Sequence, residues 1–218
     1  MRFKKPLLLV NFKTYKKGTG KEALKIAKLC DSIKSKMQVA IAVQPADLYR
    51  ISSKVKIPVF AEAIDVVDYG SNTGSILPED VKANGAKGTL INHSEHRIPK
   101  KNIKEAVIRA KKLKLITIVC AKNDSEGKIL SKFKPDYIAI EPPSLIGDPK
   151  KSICTEKPSL IKNSVKKIGN NVLVGAGVKH GDDVKIALEL GAKGVLLASG
   201  VMKAKNPRKE LEELSNFN

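Results

Sequence analysis

The sequence has little of what a disulfide framework, a zinc ribbon or a membrane span would need. Its three cysteines, Cys30, Cys120 and Cys154, are widely spaced and form no C-x-x-C pair, which argues against the first two. No apolar run approaches the roughly 20 residues that span a bilayer, and the first residues lead into a short apolar strand without a signal-peptide pattern. We therefore expect a cytoplasmic protein with reduced thiols and no membrane partner.

Aromatic and acidic residues are scarce beside the basic ones. Five Phe, four Tyr and no Trp accompany 41 Lys and Arg against 22 Asp and Glu, a formal net charge of +19. Such an excess raises nucleic acid as a partner. However, all but five of the basic residues are lysines scattered along the predicted helices, and few aromatic side chains could stack on bases. We interpret the charge as a solvated surface suited to anionic substrates and expect no nucleic acid partner.

The length and composition are typical of one folded domain. The chain has 218 residues, of which 42% are hydrophobic and 29% charged, close to the averages of globular proteins. A chain of this length can form one well-buried core, but it has too few residues for a second full-sized domain. We expect residues 1–218 to form a single domain.

Short apolar runs rich in β-branched residues alternate regularly with amphipathic stretches. The runs predict eight strands at 7–11, 39–43, 59–64, 88–92, 115–120, 137–140, 172–175 and 194–198. The stretches between them predict eight helices at 21–34, 45–53, 78–84, 100–113, 124–131, 158–167, 182–190 and 207–214. The fold class is therefore α/β, built from repeated β/α units.

The predicted strands are hydrophobic along nearly their whole length, as parallel strands covered on both faces are. Eight β/α units in 218 residues favour a small (β/α)8 barrel, and a doubly wound open sheet is the alternative. A short internal sequence repeat also supports a fold built from repeated β/α units. Asp-Val-Lys at 80–82 leads to Gly-Ala-Lys-Gly at 85–88, and the same two segments recur at 183–185 and 191–194.

The active site of such a barrel lies at the carboxyl ends of its strands, so the polar residues there are candidates. They are Asn11 and Lys13 after the first strand, His93 and Glu95 after the fourth, Glu141 after the sixth, and the glycine turns 175–177 and 198–200 after the last two. Two successive glycine-rich turns favour a bound phosphate, because backbone N–H groups can approach an anion closely there.

The sequence His-Ser-Glu-His at 93–96 also suggests a metal site. Barrel metal sites need further His or Asp ligands at other strand ends, whereas those ends offer Asn11, Lys13 and glycines. We therefore expect no metal, and we interpret His96 and His180 as surface or helix-start residues.

A carboxylate at Glu141 is hard to explain structurally, because it follows an apolar strand and precedes Pro142 and Pro143. The segment 142–152 is long for a β/α loop and contains Gly147. A mobile lid over the site and an ordinary surface loop are both compatible with this pattern.

These motifs, in this order, resemble the signatures of the triosephosphate isomerase family. The matching segments are Asn-Phe-Lys at 11–13, Asn-His-Ser-Glu at 92–95, Glu-Pro-Pro at 141–143, Ile-Gly at 146–147, Gly-Ala-Gly at 175–177 and Ala-Ser-Gly at 198–200. They run from the first strand to the last and are closest to the short archaeal branch. The resemblance implies a (β/α)8 TIM barrel and a cofactor-free interconversion of dihydroxyacetone phosphate and D-glyceraldehyde 3-phosphate, in glycolysis and gluconeogenesis.

The resemblance also implies a role for each matching residue. Glu141 would be the base that moves a proton between C1 and C2, His93 the electrophile that hydrogen-bonds the carbonyl, and Lys13 the cation that offsets negative charge. Asn11 would position the substrate, and Glu95 would be a supporting acid. Contacts to the phosphate and the lid would come from Ile146, Gly147, Gly175, Gly177, Ala198 and Ser199.

The His93 ring should be neutral, because a helix N-terminus beginning near Ser94 would disfavour the cation. The family is well known for acids and bases whose pKa values are set by their surroundings.

The loop 69–75 resembles the protruding third loop by which members of the family insert into a neighbouring subunit. The resemblance implies a homodimer or homotetramer, with Thr73 nearest the partner's site. The chain departs from the family pattern after Gly147, where Asp-Pro-Lys-Lys at 148–151 replaces a small hinge, which bears on lid closure. Asn92 stands where bacterial and eukaryotic members commonly have glycine.

Two other function classes remain as alternatives. A different phosphate-binding barrel, such as a ribulose-phosphate epimerase or a phosphorylated-indole synthase, would share the glycine turns but should lack Asn11, Lys13, His93 and Glu141 together. A nucleic-acid-binding protein would use the +19 charge and lose affinity steeply with salt, but it leaves Glu141 without a purpose.

Overall fold

The computed structural model describes residues 3–148, 151–169 and 171–217, in which eight parallel strands close into a barrel. The strands are β1 (Leu7–Asn11), β2 (Gln38–Val43), β3 (Val59–Ala61), β4 (Gly88–Ile91), β5 (Ile116–Ala121), β6 (Tyr137–Ile140), β7 (Val172–Val174) and β8 (Gly194–Leu197). Each pairs with its neighbours in sequence, and β8 closes on β1 with Leu8 opposite Val195. The predicted (β/α)8 barrel is confirmed, and an open doubly wound sheet is excluded because neither β1 nor β8 is an edge.

Helices connect successive strands. They are α1 (Gly20–Ser32), α2 (Leu48–Ser52), α3 (Pro78–Ala83), α4 (Lys100–Lys112), α5 (Asp124–Ser131), α6 (Ile153–Glu156), α7 (Pro158–Ile168), α8 (Gly181–Glu189), α9 (Ser199–Met202) and α10 (Pro207–Ser215), with 3-10 turns at Lys16–Gly18, Pro45–Asp47 and Pro143–Leu145. Seven of the eight predicted helices are found within two residues at each end. The predicted helix at 45–53 is divided into the 3-10 turn Pro45–Asp47 and the short α2. The pattern does not predict α6 and α9, because four residues are too few to show a helical period. No helix in the described ranges is long and apolar enough to cross a membrane.

β3 ends at Ala61, three residues earlier than predicted. The Glu62 N–H still donates to the Val43 carbonyl at 3.1 Å, but the chain then leaves the sheet for a loop. Asp65 closes the base of that loop, because its N–H donates to the Ile76 carbonyl at 2.9 Å and its Oδ2 accepts the Ile76 N–H at 2.7 Å. Ile64 is buried outside the strand, which is why the apolar run looks longer than the strand is.

Inward-facing side chains fill the barrel interior, as expected for this fold. They include Leu7, Leu9, Ala42, Phe60, Leu90, Ile118, Cys120, Ala139, Leu173 and Leu196, all buried. Phe60 fits because Gly88 has no side chain: a Cβ there would lie 2.2 Å from the Phe60 ring. The opposite faces of the strands pack under the helices in a second, larger core. Close packing on both faces holds the carboxyl ends of the strands in place, and the candidate site lies at those ends.

Candidate active site

One cavity opens at the carboxyl ends of the strands, and every residue predicted to be catalytic or substrate-binding lines it. Its lining comprises Asn11, Lys13, Tyr15, His93, Glu141, Ile146, Gly147, Gly175, Gly177, Val178, Leu196, Leu197, Ala198 and Ser199. Four of these lining residues are not predicted from the sequence, because aromatic and apolar walls carry no chemical signature there: Tyr15, Val178, Leu196 and Leu197. The predicted supporting residues Glu95 and Thr73 are outside this lining.

Glu141 follows β6 directly, and its backbone N–H still donates to the Ala121 carbonyl of β5 at 2.8 Å. The residue is only 2% exposed. Its Oε1 lies 3.4 Å from Nε2 of His93, and its Oε2 is buried without a hydrogen-bond partner in the described part of the chain. A carboxylate with an unsatisfied, desolvated oxygen facing a cavity is a strong candidate for a general base.

Gly175 makes room for this carboxylate. A Cβ at position 175 would lie 2.6 Å from Cγ of Glu141 and 3.0 Å from its Oε1. The glycine in the turn after β7 is therefore required by the Glu141 side chain as well as by any anion that approaches the turn.

Replacing Gly175 with alanine is expected to push the Glu141 carboxyl out of place. Because misplacement of a catalytic group by about 1 Å can cost about 100-fold in rate, we expect a loss of that order in kcat. Steady-state kinetics and a thermal melt on the same preparations check it. Activity within twofold of wild type in a folded variant would show that the carboxylate position does not depend on Gly175.

His93 lies in a turn and not at a helix start. The predicted helix N-terminus near Ser94 is wrong: residues 94–96 form a turn in which the His96 N–H donates to the His93 carbonyl at 2.8 Å, and α4 begins only at Lys100. The Glu95 N–H donates to Nδ1 of His93 at 3.2 Å. Nδ1 must therefore carry a lone pair, which leaves the ring proton on Nε2, the nitrogen that faces Glu141.

Two opposing effects act on the pKa of His93. Burial lowers it, whereas the hydrogen bond to Glu141 and the charge of that carboxylate raise it, and the balance lies above the ordinary value. The backbone donor on Nδ1 thus favours the neutral ring, and Glu141 favours the cation. A ligand that separates the two side chains removes the second effect, which leaves burial in favour of the neutral ring.

Lys13 is held in a conformation that lysine rarely adopts. Its φ of 46° is left-handed, and its N–H donates to Oδ1 of Asn11 at 3.0 Å. Its Nζ lies 2.7 Å from Oε1 of Glu95, which is 56% exposed. Glu95 therefore supports the site from outside the cavity, by holding the Lys13 ammonium at its mouth.

The turn after β7 forms one wall of the cavity together with the segment around Ser152. Gly177 has a φ of 70°, and a Cβ there would lie 2.3 Å from the Lys151 carbonyl oxygen, so only glycine fits. The Ser152 hydroxyl donates to Asp183, whose other carboxylate oxygen accepts the Lys179 N–H at 2.9 Å. This chain of bonds fixes the turn where the phosphate of a substrate is predicted to bind.

The predicted lid is only partly described. Residues Pro143–Leu145 form a 3-10 turn, Gly147 has a φ of 74°, and the Lys151 N–H donates to Oδ1 of Asp148 at 2.8 Å. Pro149 and Lys150 of the unusual hinge lie outside the described residues. Closure of this segment remains a prediction.

Thr73 is exposed in the loop that Asp65 closes and does not line the active-site cavity. The same loop, through Asp65, Gly74 and Ile76, borders a second groove with a cavity volume of about 380 Å³, which Lys13 and Glu95 also line. The position of Thr73 relative to a partner subunit stays a prediction.

Asn92 and Cys120 support the site from beneath, and their sequence context predicts no role for either. Asn92 has a φ of 62°, a backbone that favours glycine or asparagine, and its side chain bridges the Cys120 carbonyl at 2.9 Å and the Ile98 N–H at 3.1 Å. Burial and the charge of Glu141 raise the pKa of the Cys120 thiol well above its ordinary value. The thiol thus stays protonated beside the Glu141 carboxylate.

The His-Ser-Glu-His segment does not assemble metal ligands. Within the described ranges, the one group of three ligand side chains close enough to share an ion is His180, Glu210 and Glu213, on the outside of the barrel. His96 and His180 are both exposed, as predicted.

The fold and the cavity together define a (β/α)8-barrel enzyme that places a carboxylate–imidazole pair in a cavity lined by glycine turns. The family model of triosephosphate isomerase matches residues 6–216. The chain is 45% identical over 216 residues to triosephosphate isomerase of Methanobacterium bryantii, covering 96% of this chain and 95% of that protein. It is 44% identical over 217 residues to the Methanothermus fervidus enzyme, with coverages of 96% and 97%, and 43% identical over 218 residues to that of Methanocaldococcus jannaschii, with 97% and 99%.

The chain belongs to the triosephosphate isomerase family. The resemblance predicted from the motifs is confirmed, including its archaeal character. The alternative of a different phosphate-binding barrel is set aside by the same matches.

Proposed function

We propose that this chain interconverts dihydroxyacetone phosphate and D-glyceraldehyde 3-phosphate, with Glu141 as the base. Family membership makes it an isomerase, and the glycolytic role follows from the family. The Glu141 carboxylate takes a proton from C1 of dihydroxyacetone phosphate, and the electron pair left behind forms the C1–C2 double bond of an enediolate. The carbonyl π pair moves onto O2 as that double bond forms, and a proton then passes from the C1 hydroxyl to O2. Return of the proton from Glu141 to C2 re-forms a carbonyl at C1 and gives the aldehyde, so the reaction needs no oxidant, reductant or cofactor.

His93 and Lys13 stabilise the charge that develops on the substrate oxygens. The Nε2–H of His93 faces the cavity and donates to the carbonyl oxygen as that oxygen becomes negative. The Lys13 ammonium at the cavity mouth offsets the charge of the phosphate and of the enediolate. Asn11 orients the substrate beside them, since its side chain also fixes the Lys13 backbone.

The substrate phosphate binds against backbone N–H groups. Ser199 is the first residue of α9, so its N–H has no acceptor within that helix. Gly175, Gly177, Ala198 and Ser199 line the same cavity, as do Ile146 and Gly147 of the predicted lid. Closing that lid would remove water from the reacting atoms.

The observation that carries this proposal is the contact of Glu141 Oε1 with His93 Nε2 at 3.4 Å, inside a cavity with a glycine-rich wall. A coupled spectrophotometric assay with D-glyceraldehyde 3-phosphate, run after treatment with a chelator, tests it. We expect turnover that the chelator does not change. A folded protein with no turnover would contradict the assigned reaction, and loss of activity on chelation would contradict a metal-free mechanism.

We further propose that two or four copies assemble in the cytoplasm through the loop 69–75. In support, Tyr69 is 76% exposed at one end of this loop, and the groove near Lys13 and Glu95 could receive such a loop from a second copy. Sedimentation analysis of wild type should give a dimer or tetramer, and Tyr69→Asp together with Thr73→Arg should shift it toward monomer. A wild-type monomer at micromolar concentration would contradict this assembly.

A further inference from the structure

Asp183 is a buried acid to which the proposed mechanism assigns no part. It lies in the first turn of α8 and is only 6% exposed. Its Oδ2 accepts the N–H groups of Lys179 at 2.9 Å and of His180 at 3.2 Å, and its Oδ1 accepts the Ser152 hydroxyl. These three donors belong to two segments that are distant in sequence, so one buried carboxylate joins the two segments.

The first of these segments is the turn after β7. Lys179 directly follows Gly177 and Val178, which line the active-site cavity. Its ammonium folds back over the same turn, because Nζ donates to the Gly177 carbonyl at 3.3 Å and to the Lys151 carbonyl at 3.0 Å. Asp183 does not line the cavity. It therefore fixes the backbone of a cavity-lining turn without offering an atom to a bound ligand.

The second segment is the end of the predicted lid, 142–152. Ser152 is 4% exposed, and its Oγ accepts two backbone N–H groups of α6 at 3.1 and 3.2 Å. Both lone pairs of the hydroxyl are thus in use, and its hydrogen is donated to Asp183. The adjacent N–H of Ile153 donates to the Ala176 carbonyl at 3.1 Å. The lid end therefore meets the turn after β7 through one backbone hydrogen bond and through the Asp183 carboxylate.

A carboxylate satisfies both segments, whereas an amide of the same shape does not. Asparagine has one acceptor oxygen and one donor NH2 group. Turned toward Ser152, the NH2 group would face a hydroxyl whose lone pairs are already taken. Turned the other way, it would face the N–H groups of Lys179 and His180. In either orientation two buried donors oppose each other, so one of the two segments loses its attachment.

We propose that Asp183 is a positioning residue for the substrate phosphate. It fastens the end of the lid, at Ser152, to the turn after β7, and so holds the Gly177 turn in the arrangement that receives the phosphate. The inference rests on the proposed function for the nature of the substrate. Because a negative charge near the site repels an anion, a purely electrostatic influence of Asp183 would make anions bind more tightly once it is removed. Positioning predicts the opposite sign.

The test compares wild type with Asp183→Asn. Asp182→Asn is the matched control, since it removes the same charge from an exposed side chain in the same turn of α8. For each protein, kcat and KM are measured with D-glyceraldehyde 3-phosphate, and the inhibition constant is measured for sulfate, a dianion like the phosphate group. D-glyceraldehyde, which has the same reacting carbons but no phosphate, is the second substrate, and its deuterium exchange is followed by NMR. Thermal melts show that each protein is folded at the assay temperature.

We expect Asp183→Asn to raise the sulfate inhibition constant and the KM for glyceraldehyde 3-phosphate by about tenfold each, which is near the lower limit for a lost hydrogen bond to a charged group. For glyceraldehyde, kcat/KM should fall by about twofold at most, because that substrate does not use the turn. Asp182→Asn should bind sulfate as wild type does or slightly more tightly.

Ser152→Ala detaches the lid end alone and leaves the bonds from Lys179 and His180 to Asp183 in place. It should raise both constants in the same direction, by about threefold, and should add little to the effect of Asp183→Asn in the double variant. If Asp183→Asn fails to fold, Ser152→Ala tests the proposal by the same measurements.

Sulfate binding that is unchanged or tighter in both Asp183→Asn and Ser152→Ala would overturn the proposal. Equal losses with glyceraldehyde and with its phosphate would also overturn it, because Asp183 would then support the whole site and not the phosphate turn. A wild-type protein that binds no sulfate would overturn the anion-binding turn itself. If wild type isomerises neither substrate but Asp183→Asn weakens sulfate binding, the proposed function fails and the assignment of Asp183 stands.

Discussion

Glu141→Gln is expected to lower kcat by about 1,000-fold. Glutamine has nearly the same shape as glutamate but cannot accept the substrate proton, so the step that forms the enediolate loses its base. The position is on the cavity wall, and Oε2 has no hydrogen bond to lose among the described residues. We therefore expect the Tm to stay within a few degrees of wild type, as measured by thermal melts beside the kinetic assay.

A second readout in the same variant reports on the partner of Glu141. Without the carboxylate, burial is the main remaining influence on His93, and its pKa should fall below the wild-type value in an NMR titration. Glu189→Gln, which removes a distant carboxylate, should change neither kcat nor this pKa. Undiminished activity in Glu141→Gln would show that another group abstracts the proton.

Lys13→Ala is expected to damage binding and turnover together, with a loss of about 100-fold in kcat/KM. The ammonium at the cavity mouth is lost, so both the phosphate and the developing enediolate lose a counter-charge. Alanine keeps the Cβ of lysine, so the left-handed backbone at this position, with φ of 46°, is no more and no less strained. The fold should therefore survive the change.

Measurement of KM and kcat separately distinguishes the two effects of Lys13. Lys13→Arg is the matched control because it keeps the positive charge and should retain more activity than the alanine variant. Wild-type kinetics in Lys13→Ala would mean that the positive charge of the site comes from another residue.

Most of the fold could be predicted from the sequence because the hydrophobic pattern of buried parallel strands is strong. β1 and β6 begin and end as predicted, and the other strands are found within a residue or two except β3. β3 ends early because Asp65 ties the chain to Ile76, a contact eleven residues away that no local pattern reports. The same limit explains the missing helix after His93, where a turn closed by the His96 N–H replaces it.

The residues of the site could be predicted because barrels bring their strand ends together, whatever the register. The neighbouring groups that influence the pKa values and conformations of those residues could not be predicted. Cys120 lies on β5 and Glu141 follows the neighbouring β6, so the thiol and the carboxylate meet only once these two strands are paired. Asn92 could be seen as a departure from glycine, but its reason, a φ of 62°, is visible only in three dimensions.

The most direct test of proton transfer by Glu141 is isomerisation in D₂O followed by NMR of the products. A carboxyl group exchanges its proton with solvent, so we expect deuterium at C2 of newly formed glyceraldehyde 3-phosphate and at C1 of dihydroxyacetone phosphate. Glu141→Gln should give almost no labelled product in the same time. Rapid turnover of wild type with no deuterium in either product would contradict the account, because hydrogen would then move directly between the carbons without passing through the carboxylate.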